Sequence, residues 1–167
     1  MRLDQFNAAP AAGITSALLT CCDVPAWAAT VRDGRPYPDV ESALDTADKA
    51  ARELSPADVD RALAAHPRIG QRAPQVGQDA REAAWSRQEQ SAVARDGDTV
   101  AALEAGNRAY EERFGRVFLI CATGLSADEV LSELHWRLAN DAASEAAVVA
   151  EELRKIALLR LRKVLDR

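Results

Sequence analysis

The chain is poor in the residues on which several classes of protein depend. Its 167 residues include three cysteines, two histidines and 5% aromatic residues. Cys21 and Cys22 are adjacent and no Cys-x-x-Cys pair occurs, so neither a disulfide framework nor a zinc site has its usual spacing. We therefore expect that the protein binds no metal. We also expect it in a reducing compartment, the cytoplasm.

Long apolar runs and an excess of basic residues are also missing. One fairly apolar stretch, residues 11–29, is interrupted by Asp23 and Pro25, and a membrane span needs about 20 uninterrupted apolar residues. The formal net charge of -5 argues against nucleic-acid binding, which requires a basic surface to neutralise phosphates. Glycine-rich phosphate loops and dinucleotide fingerprints are absent too. We expect no membrane, nucleic-acid or cofactor partner.

Helix-forming residues dominate what is present. Alanine, leucine, glutamate and arginine are abundant, and β-branched residues form no alternating runs. Helix signals include a start at Ser55-Pro56, a capping box at Ser126 to Glu129 and a C-cap at Gly115. The apolar run 117–122 predicts a short buried extended segment. The sequence thus predicts an all-α fold, a single-domain bundle of about eight helices over residues 1–167.

One of the two histidines, His66, stands directly before a proline. Pro67 disfavours helical geometry at the preceding residue, so the helix that begins near Pro56 is predicted to end here. Histidine titrates close to physiological pH, which makes His66 a candidate for acid–base chemistry. The other interpretation is an ordinary turn residue. The second histidine, His135, is expected to be a surface or packing residue in mid-helix.

An arginine lies on the apolar stripe of the C-terminal helix. At ~100° per residue, Arg160 falls at the centre of this stripe, whereas Arg162 projects to the charged side. The stripe consists of Val149, Leu153, Ile156 and Val164. A guanidinium there requires a carboxylate, an anionic ligand or access to solvent, so a structural ion pair and a substrate contact both remain open.

A carboxylate lies in a similar position on the helix predicted over residues 78–95. Glu89 follows Trp85 by four residues on the apolar side, and Ser86 and Gln90 flank it one helical turn apart. Glu89 is therefore a second candidate for a functional charge. An ion pair with an arginine of another helix is the alternative.

Several segments, in a fixed order, carry a resemblance to a known family. The match begins near Leu3 and extends through 118–122, 137–141 and 156–161. Its most specific motifs are His66-Pro67-Arg68-Ile69-Gly70, Trp85-Ser86-Arg87-Gln88-Glu89-Gln90 and Asn107-Arg108-Ala109-Tyr110-Glu111-Glu112-Arg113-Phe114-Gly115. With these motifs the chain resembles the 2-oxo-4-hydroxy-4-carboxy-5-ureidoimidazoline (OHCU) decarboxylases of urate degradation.

The resemblance implies an activity and a set of site residues. It implies an all-helical, cofactor-free enzyme, usually a homodimer, that forms (S)-allantoin and CO2 from the product of 5-hydroxyisourate hydrolysis. His66 would be the catalytic acid or base, and Glu89 its carboxylate companion. The resemblance also implies a functional link between this enzyme and 5-hydroxyisourate hydrolase. The substrate contacts that it implies are Pro67, Ser86, Gln90, Phe118, Leu119, Ile120, Cys121, Ala122 and Arg160.

Two other classes of function stay open at this point. A non-catalytic helical module that binds a ureide or purine ring is the main alternative, and a helical bundle without a ligand is another. His66 and Glu89 favour the enzyme, because a binding module has no need of a proton-transfer pair.

Overall fold

The computed structural model describes residues 1–69, 85, 88 and 97–166. Within these residues every regular element is a helix, so the all-α prediction is confirmed. The helices with described bounds are α1 (Leu3–Ala8), α2 (Ala11–Cys21), α3 (Pro25–Asp33), α4 (Val40–Arg52), α5 (Pro56–Ala64), α6 (Gly97–Phe114), α7 (Ala127–Arg137) and α8 (Ala142–Leu165). None of the described helices is long and apolar enough to cross a membrane.

The predicted extended segment is not supported. Residues 117–122 lie between α6 and α7 and are neither strand nor helix. Phe118, Leu119, Ile120 and Ala122 are nevertheless buried, as an apolar run should be. A strand needs a neighbouring strand for its backbone hydrogen bonds, whereas the partners of this segment come from side chains and a turn, as described below.

The chain divides into two compact units. The first consists of Met1–Ala62 and Leu153–Arg167. Within it, Trp27 is buried, and its indole N–H donates a hydrogen bond to the carbonyl oxygen of Ala47 at 3.0 Å. This contact ties α3 to α4. A single domain over residues 1–167 stays a prediction.

The second unit consists of Leu63–Glu152 and has an apolar core of its own. That core joins the end of the His66 motif, α6, the irregular segment and α7. Its buried members are Ile69, Leu103, Tyr110, Phe118, Ile120, Ala122, Val130 and Leu134.

The helix ends agree with the sequence signals. Helix α5 begins at Pro56, and Ser126 and Glu129 form the predicted capping box of α7. Gly115 follows α6 with φ +68°, and its N–H donates to the carbonyl oxygen of Glu111 at 2.8 Å. Of the helix predicted over 78–95, only Trp85 and Gln88 are described; both are helical and Trp85 is buried.

Replacing Gly115 by alanine is expected to destabilise the protein by about 1–2 kcal/mol, because a Cβ disfavours the left-handed conformation. Gly13 provides the matched control, since it lies in α2 and, among the described residues outside its own helix backbone, no atom lies within 4 Å of the place of a Cβ. Gly13→Ala should stabilise by about 0.5–1 kcal/mol through lower chain entropy. Urea unfolding measures both, and equal shifts in the two variants would contradict this account.

Candidate active site

His66 lies just beyond α5, at the point where Pro67 stops the helix. Its main-chain N–H donates to the carbonyl oxygen of Leu63 at 2.9 Å, which closes a turn after the last helical residue, Ala64. His66 and Pro67 are half-buried, and the Nε2 atom of His66 is enclosed by protein. The position suits a side chain that exchanges protons with a ligand in a partly dry environment.

The residues after His66 are fastened to α6 at two points. The guanidinium of Arg68 binds both carboxylate oxygens of Glu111, and this contact raises the pKa of Arg68. One residue further, the carbonyl oxygen of Ile69 accepts a hydrogen bond from Nδ2 of Asn107 at 3.0 Å. Asn107 and Glu111 are one helical turn apart, so a single face of α6 holds this loop.

The irregular segment obtains backbone hydrogen bonds from side chains. The carbonyl oxygen of Leu119 accepts from Nη1 of Arg137 at 2.6 Å, and the N–H of Cys121 donates to Oε2 of Glu152 at 2.8 Å. Buried main-chain groups need such partners when they belong to no helix or sheet. The Cys121 amide, one of those assigned to substrate from the sequence, is therefore engaged by a protein carboxylate.

Two other amides of the same segment, those of Ile120 and Ala122, are not engaged in this way. Ile120 and Ala122 are buried, and within the described part of the chain their N–H groups donate to no acceptor. These two N–H groups are therefore the main-chain donors of the segment that a ligand could use. Both residues share the apolar core with Ile69, so the structure brings the His66 loop and this segment together.

A buried ion pair supports the segment from behind. Nη2 of Arg137 lies 2.6 Å from Oε1 of Glu145, and both side chains are almost fully buried (0% and 2% exposed). Glu145 also accepts from Tyr110 and, at 2.9 Å, from Asn140. Burial raises the pKa of Glu145, but the hydrogen bonds from Arg137, Tyr110 and Asn140 outweigh it and leave this pKa below its ordinary value. The carboxylate is therefore ionised at neutral pH.

The remaining parts of this cluster are aromatic. The guanidinium carbon of Arg137 lies 4.6 Å from the ring centre of Phe118 and 5.7 Å from that of Tyr110. Burial and the hydrogen bond to Glu145 raise the pKa of Tyr110, so its hydroxyl stays protonated as a donor. Charge, ring faces and hydrogen bonds together fix the orientation of Arg137.

Arg160 lies in the first unit and is 1% exposed, which confirms its predicted place on the buried stripe of α8. Its Nη1 lies 3.5 Å from the carbonyl oxygen of Thr20. Arg162, two residues away, is exposed and pairs with Glu41 at 2.9 Å. The two arginines thus occupy different surroundings on one helix, as the stripe predicts.

Three predicted site residues lie outside the described part of the chain. They are Ser86, Glu89 and Gln90, and their roles stay predictions. His135 is exposed, which agrees with the expectation of a surface residue.

Sequence reasoning missed three buried charged residues of the second unit, Arg137, Glu145 and Glu152, of which the first two have a signal in the sequence. Arg137 continues the apolar stripe of Val130 and Leu134 on α7, and Glu145 lies four residues before the buried Val149 on α8. The reasoning that singled out Arg160 would have found both, had it been applied to each helix. It would not have shown that the charges bind each other.

The comparisons with known proteins agree with this architecture. The family model described as OHCU decarboxylase matches residues 7–162. The 2-oxo-4-hydroxy-4-carboxy-5-ureidoimidazoline decarboxylase of Amia calva is 29% identical over 142 residues, which are 85% of this chain and 81% of that protein. A bifunctional uric acid degradation protein of Arabidopsis thaliana is 28% identical over 145 residues, 86% of this chain but 45% of that protein.

A solved structure matches as well. The crystal structure of an OHCU decarboxylase in the presence of (S)-allantoin superposes with a TM-score of 0.74 and 26% identity, covering 89% of this chain and 96% of that one. The fold of this chain is thus shared with an OHCU decarboxylase. The chain belongs to the OHCU decarboxylase family and is a carboxy-lyase of urate degradation. The resemblance drawn from the sequence motifs is confirmed.

Proposed function

We propose that this chain converts OHCU into (S)-allantoin and CO2 without a cofactor, and that it controls which face of the substrate is protonated. One observation carries the proposal: the anchored His66 loop shares a core with a buried segment in which the Ile120 and Ala122 amides donate to no acceptor within the described residues. A titratable imidazole on a loop that packs against a segment with available main-chain donors suits proton transfer on a bound anion or carbonyl.

The chemistry needs few groups, because the substrate provides its own electron sink. A C=N bond lies next to the carbon that loses CO2, so the electron pair of the breaking C–C bond forms a C=C bond to the imine carbon, and the C=N electron pair moves onto nitrogen, which gains a proton. The resulting enol then loses its hydroxyl proton as the carbonyl forms, and the former imine carbon gains a proton. The protein has to bind the carboxylate, handle the hydroxyl proton and deliver the new proton to one face.

The side chains divide these tasks as follows. His66, with Glu89 as its carboxylate companion, carries out the proton transfers, and Arg160 orients the anionic substrate. Main-chain donors of the 118–122 segment, Ile120 and Ala122 first among them, bind ring or ureido oxygens. Pro67, Ser86 and Gln90 complete the substrate contacts, a role that rests on the family resemblance.

Freshly generated OHCU, followed by circular dichroism, tests the proposal. The wild type should form (S)-allantoin faster than the spontaneous reaction, which has no chiral catalyst and gives racemic product. A non-catalytic ureide-binding module would bind allantoin in calorimetry and leave the rate at its spontaneous value. That second result would overturn the proposal.

Arg160 and Arg162 form a matched pair for the substrate-binding role. Arg160→Lys keeps the charge but loses the planar fork, and we expect kcat/KM to fall about 10- to 100-fold, mainly through KM. Arg162→Lys, on the exposed side of the same helix, should leave kcat/KM unchanged. A purely structural Arg160 predicts the opposite, namely lower stability with an unchanged KM in the folded variant.

The assembly and the cellular setting are also proposals. The family resemblance supports a homodimer that acts after 5-hydroxyisourate hydrolase. The buried Cys21 and Cys22 thiols support a reducing compartment, the cytoplasm. Light scattering of the purified protein should give twice the chain mass of 18.0 kDa. A mass of one chain at working concentration would contradict the dimer.

A further inference from the structure

We infer that Glu152 and Arg137 are positioning residues that hold the main chain of residues 119–121 in place for catalysis. They touch the backbone of the segment and act on substrate through it. The inference rests on the proposed function, because it assigns these residues to the segment whose amides are proposed to bind substrate.

The two contacts match the polarity of the main-chain groups that they bind. A main-chain carbonyl needs a donor and a main-chain N–H needs an acceptor, and each is matched here: Arg137 donates to Leu119 and Glu152 accepts from Cys121. The two contacts act on consecutive peptide groups, 119–120 and 120–121, which flank the Cα atom of Ile120. Fixing both planes therefore fixes the backbone conformation of Ile120 and the direction of its N–H.

Both contacts come from buried charged side chains. Arg137 is 0% exposed and Glu152 is 9% exposed. Hydrogen bonds with an ionised partner are about twice as strong as those between neutral groups, and low local dielectric strengthens them further. Polar atoms satisfied in this way hold a geometry more firmly than apolar packing alone.

Both contacts depend on carboxylates of one helix, α8. Glu145 and Glu152 are seven residues apart on α8, two turns along nearly the same face. Glu152 binds the segment directly, and Glu145 binds it through Arg137. One rigid helix thus holds the segment at two points about 10 Å apart along its axis.

The apolar side of the segment provides the complementary restraint. Phe118, Ile120 and Ala122 pack into the same core as Ile69 of the His66 loop. Movement of the segment would therefore change its distance from the His66 loop. Since misplacement by about 1 Å can cost about 100-fold in rate, a loosened segment should lower kcat.

Three variants of Glu152 separate the effect of side-chain length from the effect of the negative charge. Glu152→Gln removes the charge but keeps an acceptor oxygen, Glu152→Asp keeps the charge but shortens the side chain, and Glu152→Met removes both. We expect Glu152→Gln, whose neutral acceptor makes a weaker hydrogen bond, to lose about 3- to 10-fold in kcat, and Glu152→Asp and Glu152→Met to lose about 10- to 100-fold. Glu151→Met, one residue away on α8, is the control and should leave kcat unchanged.

All rates are compared at a temperature where far-UV circular dichroism shows each variant folded, and after subtraction of the spontaneous reaction. The amide proton of Cys121, followed by hydrogen exchange in NMR, gives a second readout that does not require activity. It should exchange faster in Glu152→Asp and Glu152→Met than in Glu152→Gln.

The outcomes are distinguishable. If the wild type does not accelerate decarboxylation, the proposed function fails, while faster Cys121 exchange still supports the contact. If the wild type is active and Glu152→Asp and Glu152→Met match its kcat, the positioning role is overturned. Equal kcat losses in Glu152→Gln and Glu152→Met would also overturn it, because an acceptor oxygen within reach of the Cys121 N–H would then make no difference to kcat.

Discussion

Replacement of His66 by asparagine is expected to lower kcat for OHCU decarboxylation by about 100- to 10,000-fold, the range typical of a lost general acid or base. Asparagine keeps a polar group of similar size at the end of α5 but cannot exchange a proton near neutral pH. The loop should keep its place, because Arg68 and Ile69 are bound to α6 independently of the imidazole. KM should change far less than kcat.

The second histidine provides the control for this experiment. His135 is exposed on α7, so His135→Asn should leave kcat and the enantiomeric excess of the product unchanged. The enantiomeric excess of allantoin is the more sensitive readout, because His66→Asn should let the spontaneous, racemic reaction dominate. Rapid formation of (S)-allantoin by His66→Asn would exclude His66 from proton transfer.

The second large effect is on stability. Glu145→Ala leaves the guanidinium of Arg137 buried without its carboxylate, and breaking a buried ion pair from one side costs about 3–5 kcal/mol. This loss is a large share of the about 5–15 kcal/mol by which domains are stable. Glu112→Ala, at an exposed position of α6, should change the free energy of unfolding by less than about 0.5 kcal/mol.

The same carboxylate predicts a pH dependence. The pKa of Glu145 is lowered in the folded protein, so its contribution is fully present above its ordinary pKa of 4.5 and is lost as pH falls through the lower folded value. Urea midpoints of the wild type and Glu145→Gln should therefore converge as pH decreases below this range. Parallel curves at all pH values would mean that Glu145 does not stabilise the fold through its charge.

Local signals in the sequence were enough to predict much of this fold. Pro56, Ser126 and Gly115 mark helix ends because their preferences depend only on neighbouring residues. The burial of Arg160 followed from helical periodicity for the same reason. The run 117–122 was predicted as buried and extended; burial was right, but composition alone carries no information on which partners its backbone will find.

The sequence by itself determined the all-α class, the ends of several helices and, through ordered motifs, the decarboxylase family. Tertiary structure alone decided that Arg137 and Glu145 form a buried ion pair. It also decided that Asn107 and Glu111 bind the His66 loop, and that Glu152 accepts the hydrogen bond of the Cys121 N–H. The physical reason is range. Helix propensity and capping act over three or four residues, whereas these contacts join residues 8 to 43 positions apart and exist only once the helices have packed.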